Sequence, residues 1–118
     1  MTRRQQRLNV LFREELSELI RSEVRDPRLA ALVSITKVDV SPDLEHATVY
    51  VSILSDEEEK AASMTALRSA APYLRRHLLS RIRIRRIPAL QFVLDHSIED
   101  AAHVLELMKK VADKDRPA

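Results

Sequence analysis

Val33-Ser34-Ile35-Thr36-Lys37-Val38-Asp39-Val40-Ser41-Pro42-Asp43-Leu44-Glu45-His46-Ala47-Thr48-Val49-Tyr50-Val51-Ser52-Ile53 is the stretch that decides the fold. Its first part is rich in β-branched residues. From Ala47 onward, Ala47, Val49, Val51 and Ile53 alternate with Thr48, Tyr50 and Ser52, the period-two pattern of a strand buried on one face. Between the two runs, Ser41-Pro42-Asp43-Leu44-Glu45 supplies turn chemistry without glycine. The reading is two strands, Leu32 to Val40 and Ala47 to Ile53, paired as an antiparallel hairpin.

Outward from the hairpin, the pattern changes to helical spacing. Upstream, Thr2 with Gln5 three residues later forms a capping box, and Leu8, Leu11, Phe12, Leu16, Leu19, Ile20 and Val24 keep one apolar stripe. That helix should end by Asp26, because the residue before Pro27 is pushed out of the α region. Downstream, Ser55 with Glu58 reads as a second capping box, and Asp56 to Glu59 place carboxylates where the helix dipole favours them. An apolar face of Met64, Leu67, Ala71, Leu74, Leu78 and Ile82 follows, interrupted by Pro72, which reads as helix, kink, helix at Ala70-Ala71-Pro72. Leu90 to Leu94 is a third strand, with Pro88 tolerated only at its start or on an edge. Ser97 then caps a last helix with Ala101, Val104, Leu105, Met108 and Val111 on one stripe. The predicted core includes Leu8, Phe12, Leu16, Ile20, Val49, Val51, Leu67, Leu74, Leu78 and Phe92.

The 118 residues suffice for one α+β domain, residues 1–112, followed by a short polar tail, 113–118. Glycine is absent altogether, which excludes Walker loops, dinucleotide fingerprints and the Gly-rich loop of ordinary KH domains. Cysteine is absent as well, so there is no disulfide framework or thiolate metal site, and a cytoplasmic location is expected. No apolar run approaches the length of a membrane span.

Charge is segregated. From Lys60 to Leu94 there are seven Arg and one Lys but no Asp or Glu, so a chain of net charge +2 carries −6 outside this stretch. The arginines are Arg68, Arg75, Arg76, Arg81, Arg83, Arg85 and Arg86, and Arg3, Arg4 and Arg7 form a smaller cluster at the start of the first helix. A guanidinium pairs bidentately with phosphate and stacks on bases, so this arrangement points to RNA. For Arg3, Arg4 and Arg7 a solvated first turn is an equal reading. With four aromatics, Phe12, Tyr50, Tyr73 and Phe92, the chain lacks a side-by-side stacking platform, so backbone and shape recognition is favoured over base readout.

Other chemistries find less support. His96, Glu99, Asp100 and His103 have spacing that could gather metal ligands on a continuous helix, but Ser97 as a cap leaves His96 outside it. No motif joins Ser and His for nucleophilic catalysis, and no catalytic residue, metal or cofactor is expected. Arg alternating with Ile from 81 to 87 could suit a membrane surface, or equally an extended segment flanking the third strand.

Asp26-Pro27-Arg28-Leu29, then Val38-Asp39-Val40-Ser41-Pro42-Asp43-Leu44 with His46-Ala47-Thr48-Val49-Tyr50-Val51-Ser52, then Leu74-Arg75-Arg76 through Arg85-Arg86-Ile87-Pro88-Ala89-Leu90-Gln91-Phe92 resemble the ribosome-binding factor A family. The likeness runs in order from about Gln5 to Leu107. It implies a type II KH-like fold with a three-stranded mixed sheet, helices on one face and an extra C-terminal helix. It implies a monomeric, non-enzymatic assembly factor that binds free small ribosomal subunits late in their maturation. Such a factor assists processing of the 5′ end of small-subunit rRNA, contacts the 5′-terminal region, and leaves before translation. A generic RNA-binding or protein-interaction adaptor with a KH-like fold is the alternative. The family carries Ala-x-Gly at the kink, whereas Ala70-Ala71-Pro72 stands here, so a ring without an N–H replaces the glycine; Ala31 and Ser80 also stand where glycine is expected.

Overall fold

The computed structural model describes residues 1–29 and 33–114, and within its last helix the side chains of 98–101 and 113–114 lie outside the description. The order is α1 (Arg3–Ser22), β1 (Val33–Val40), β2 (His46–Ile53), α2 (Glu57–Arg81), β3 (Ala89–Leu94) and α3 (Ser97–Lys114). The strands form one sheet in the order β1-β2-β3. β1 and β2 are the expected antiparallel hairpin, whereas β3 lies parallel to β2, so the sheet is mixed. Parallel neighbours cannot be joined by a tight turn, and α2 with the segment after it makes the crossover.

Period two places the core. On β2, Ala47, Val49, Val51 and Ile53 are fully buried; Val38 pairs opposite Val49 from β1, and Phe92 from β3. α1 lies against β1, α2 against β3, and the two helices touch each other, so both cover the same face. Leu8, Phe12, Leu16, Leu19 and Ile20 of α1 and Leu67, Leu74 and Leu78 of α2 close the core. Every residue expected there from the sequence is buried, but Leu11, counted on the stripe, is exposed. Its position is rotated toward water at the margin of the apolar arc.

The N-terminal capping box is present: the Thr2 hydroxyl accepts from the Gln5 N–H at 3.1 Å, and Gln5 Oε1 accepts from the Thr2 N–H at 3.0 Å. Gln5 has a second task. Its Nε2 donates to the Val40 carbonyl at 3.1 Å, and the Val40 N–H donates to Asn9 Oδ1 at 2.8 Å. Val40 ends the edge strand, and α1 satisfies both of its backbone groups there.

Several local expectations are corrected. The cap of α2 is Asp56, whose carboxylate accepts the Glu59 N–H at 2.8 Å, one residue later than the Ser55–Glu58 reading. A carboxylate is the stronger acceptor at a helix N-terminus. α2 runs without interruption through Pro72 for 25 residues, so the expected pair of helices is one helix with proline inside it. Proline's fixed φ is helical, and burial of Leu67, Leu74 and Leu78 on either side holds the helix across the missing N–H. Ser97 is the first residue of α3 instead of its cap; its N–H donates to Asp95 Oδ1 at 2.9 Å. Asp95 also accepts the Thr36 hydroxyl at 2.6 Å, at the irregularity between Ile35 and Lys37 in β1.

Two features depart from a compact single-core globule. Val104, Leu105, Met108 and Val111 of α3 are all more than half exposed, and the molecule measures 66 × 37 × 19 Å. Leu44, in the β1–β2 turn, has φ 61°, the left-handed region where a bulky side chain costs about 1–2 kcal/mol. A chain without glycine gives this turn no cheaper occupant than Asn or Asp.

Gln5→Glu keeps an acceptor for the Thr2 N–H but sets a carboxylate against the Val40 carbonyl. We expect a loss of about 1–3 kcal/mol in chemical denaturation; unchanged stability would show that the α1–β1 tie carries no weight. Acid provides a second check. The Asp26 carboxyl is held down to about 2, mainly by its hydrogen bond with the Arg28 side chain, and Asp43 and Asp95 are lowered by their Ser41 and Thr36 hydroxyl bonds. Lowered carboxyl groups contribute stability above their unfolded value, and that contribution is lost as pH falls from about 4 toward 2. Asp26→Asn should therefore flatten the dependence of the urea midpoint on pH in that window.

Candidate nucleic-acid interface

The basic stretch divides where α2 ends. Past Arg81 the backbone becomes extended, with Ile82 at φ −119° and ψ 129°. Ile82 and Ile87 are buried and Ile84 is half-buried against the core, whereas Arg83, Arg85 and Arg86 are exposed. The segment leading into β3 is thus a bent one, with the Ile84 N–H donating to the Ile82 carbonyl at 3.0 Å, whose isoleucines turn inward at 82, 84 and 87 while the arginines between them stay exposed. Its isoleucines belong to the core and are withheld from any lipid, so the membrane-surface reading loses its apolar half.

Hydrogen bonds sort the arginines further. Arg75 Nη2 donates to the Ile87 carbonyl at 2.9 Å, and Arg68 Nη2 points at the Phe92 carbonyl at 3.4 Å. Both reach from α2 to β3 and the segment before it. Arg81 bonds Glu15 at 3.1 Å and lies 3.6 Å from Glu18, both on α1; the Glu15 bond raises its pKa further. Arg76, Arg83, Arg85 and Arg86 are exposed. The site residues expected from sequence therefore fall into two kinds, those that tie elements together and those that face outward. Charge segregation alone could not separate them, because the carbonyls and carboxylates that engage Arg68, Arg75 and Arg81 are distant in sequence.

Arg3, Arg4 and Arg7 are exposed in the first turns of α1. The fold brings Arg4 to the mouth of a cavity shared with Arg85 and Arg86, joining the two basic clusters, while Arg3 and Arg7 line a shallow groove with Val10 and Leu11 on α1 itself. At the proline, Ala70 and Ala71 are half-buried against the core and Pro72 is exposed. Tyr73 is half-buried, its ring 4.3 Å from that of His77 and its hydroxyl 3.5 Å from Glu23. One feature escaped the sequence reading: Lys37 sits 5.6 Å over the Tyr50 ring on the sheet face away from the helices. The pairing of Lys37 opposite Tyr50 follows from a register shift that no local pattern announces.

Among the described residues no three His, Asp or Glu side chains converge as metal ligands. Glu99 and Asp100, named for that role, have side chains outside the described set.

Comparison with known proteins adds the following. A family model described as ribosome-binding factor A matches residues 4–108. Ribosome-binding factor A of Clostridium botulinum is 49% identical over 109 residues, covering 92% of this chain and 94% of that protein. The counterpart from Acetivibrio thermocellus is 41% identical over 111 residues, covering 94% and 90%. The crystal structure of ribosome-binding factor A from Thermus thermophilus superposes with a TM-score of 0.68 at 32% identity, over 76% of this chain and 93% of that one. A homology model of the Thermus protein, fitted into a cryo-EM map of its complex with the 30S subunit, gives 0.63 at 32% identity, over 75% and 91%.

Arg75→Ala should cost about 1 kcal/mol of stability through the lost bond to the Ile87 carbonyl. Arg76→Ala should stay within about 0.5 kcal/mol of the parent, as exposed substitutions do. Equal melting behaviour of the two variants would show that the Arg75 bond is not structural.

Proposed function

Since the chain belongs to the ribosome-binding factor A family, we propose that it binds the free small ribosomal subunit and assists its late maturation, including processing of the 5′ end of the rRNA, then leaves before translation. Nothing in this role needs a catalytic residue, and the protein works in the cytoplasm where subunits assemble. The observation that carries the reading is the segment from Ile82 to Pro88: buried isoleucines fix the backbone, so Arg83, Arg85 and Arg86 are held outward in a set spacing. Side chains on an immobilised backbone lose less freedom when they meet phosphate, and Arg offers two parallel donors to each one.

Arg76 and Arg4 extend this surface from α2 and α1. Arg68, Arg75 and Arg81 act behind it, holding α2, β3 and α1 in register, with any phosphate contact secondary to that. Arg3 and Arg7 lie toward the groove on α1 and stand at the margin of the interface. The exposed apolar stripe of α3 gives the adaptor reading its one specific support, since Val104, Leu105, Met108 and Val111 suit a protein partner better than RNA. On a ribosomal subunit both kinds of surface are available, so this stripe complements the RNA-binding face.

Salt separates the two. Four phosphate contacts predict a log–log slope of affinity against salt of roughly −3 to −4, from about 0.7–0.9 per contact. Arg83→Ala/Arg85→Ala/Arg86→Ala should remove roughly 2 to 3 slope units in titrations onto purified small subunits, with melting temperature little changed. An unchanged slope with weaker binding would transfer the interface to the apolar face of α3.

A further inference from the structure

Where the β1–β2 turn faces the segment before β3 there is a cavity of about 190 Å³. Leu8, which is buried, with Leu44, Ile84 and Pro88 make its walls apolar. Arg4, Arg85 and Arg86 stand around it, each exposed. Two carboxylates, Asp43 and Glu45, complete the lining. Asp43 is committed to the turn: its Oδ1 accepts the Ser41 hydroxyl at 2.6 Å and the Glu45 N–H at 3.0 Å. Three guanidinium groups against two carboxylates leave the lining with a net positive charge.

We infer that this cavity receives the base of one unpaired RNA nucleotide, with the flanking phosphates on Arg4, Arg85 and Arg86. The inference rests on the RNA-binding reading above and adds a base pocket to what would otherwise be a phosphate-contacting surface. Size restricts the occupant. Pockets for drug-sized ligands run from about 300 to 1,000 Å³, so this one admits a single ring system and leaves ribose and phosphate outside. An apolar slot ringed by arginine is complementary to that division: the lining has no aromatic ring, so the aliphatic walls take the base out of water, a guanidinium plane offers the face it can stack on, and cations hold the backbone.

The turn is built to keep this wall in place. The Leu44 N–H donates to the Ser41 carbonyl at 2.9 Å, Ser41 and His46 exchange further bonds, and the Ala89 N–H donates to the Glu45 carbonyl at 2.8 Å, fixing the turn to β3. Leu44 itself is at φ 61°, where Asn would sit more easily. A leucine at that position gives up backbone ease and gains an apolar side chain at the cavity wall.

Leu44→Asn tests this directly, because it keeps a left-handed backbone, makes the wall polar and leaves all three arginines. On purified small subunits saturated with wild-type protein, hydroxyl-radical footprinting should show backbone protection, and reagents that attack Watson–Crick edges should find one unpaired base newly shielded. With Leu44→Asn at saturation the backbone protection should remain, the base should become reactive again, and affinity should fall roughly 5- to 100-fold, the range for loss of one stacked base. If Leu44→Asn melts early, Ile84→Thr, on the opposite wall, is read by the same shielding. A wild-type backbone footprint with no shielded base, or shielding that survives both variants, would overturn the pocket and leave subunit binding standing. Absence of any wild-type footprint would instead overturn subunit binding, and the pocket with it.

Discussion

Everything in this molecule depends on the burial of one face of β2. Ala47, Val49, Val51 and Ile53 are removed from water by α1 and α2, and burying each of the three larger side chains is worth about 1.5–3 kcal/mol. Because side chains in a strand alternate, a one-residue slip would turn all four outward, so the register of both neighbours is fixed by the same face. From that follow the pairing of Val38 with Val49, the parallel entry of β3 at Phe92, and the need for a crossover between β2 and β3. The basic segment is the end of that crossover. Its charge reaches the surface because its isoleucines are required inside.

The arginines show how one residue type serves two ends. A guanidinium carries five donors and no acceptor, so it can bond a backbone carbonyl without presenting an unpaired acceptor to the interior. Arg68 does this toward Phe92 of β3 and Arg75 toward Ile87 just before it, and among the described residues no strand lies beyond β3. Open strand edges invite unwanted pairing, and a charged side chain reaching the edge discourages it. Arg81 differs again, as its carboxylate partners on α1 hold the end of α2 against the first helix. Surface ion pairs add little to stability, so the main effect is to draw this cation away from the outward-facing set.

Much of the fold was legible because two periods, 2 and 3.6, are written clearly between Leu8 and Leu94, and most of the residues they mark lie in or against the core, Leu11 excepted. What stayed hidden depends on distance in space. The continuity of α2 through Pro72 reflects packing on both sides of the ring, which outweighs a local breaker. The shift of the α2 cap from Ser55 to Asp56 lies within the uncertainty of any helix end read from spacing. Candidate site residues were legible as a charge class and illegible as roles, since the Arg75–Ile87 and Arg81–Glu15 contacts join elements that share no pattern. Leu44 was hidden for a different reason: a turn without glycine gives no signal of which residue takes the left-handed position.

The parallel pairing of β3 with β2 also sets an order of events as the chain is made. β2 can close its hairpin with β1 as soon as both have emerged, but its other edge waits for the 25 residues of α2 and the segment after it. Contacts of such long sequence separation form late and slowly. Until they form, Ile82, Ile84 and Ile87 have no core to enter and the arginines between them have no fixed spacing. The newly synthesised chain therefore fixes the spacing of these arginines only once β3 has emerged and paired. A polypeptide whose synthesis has paused short of β3 carries the same cations without their mature arrangement.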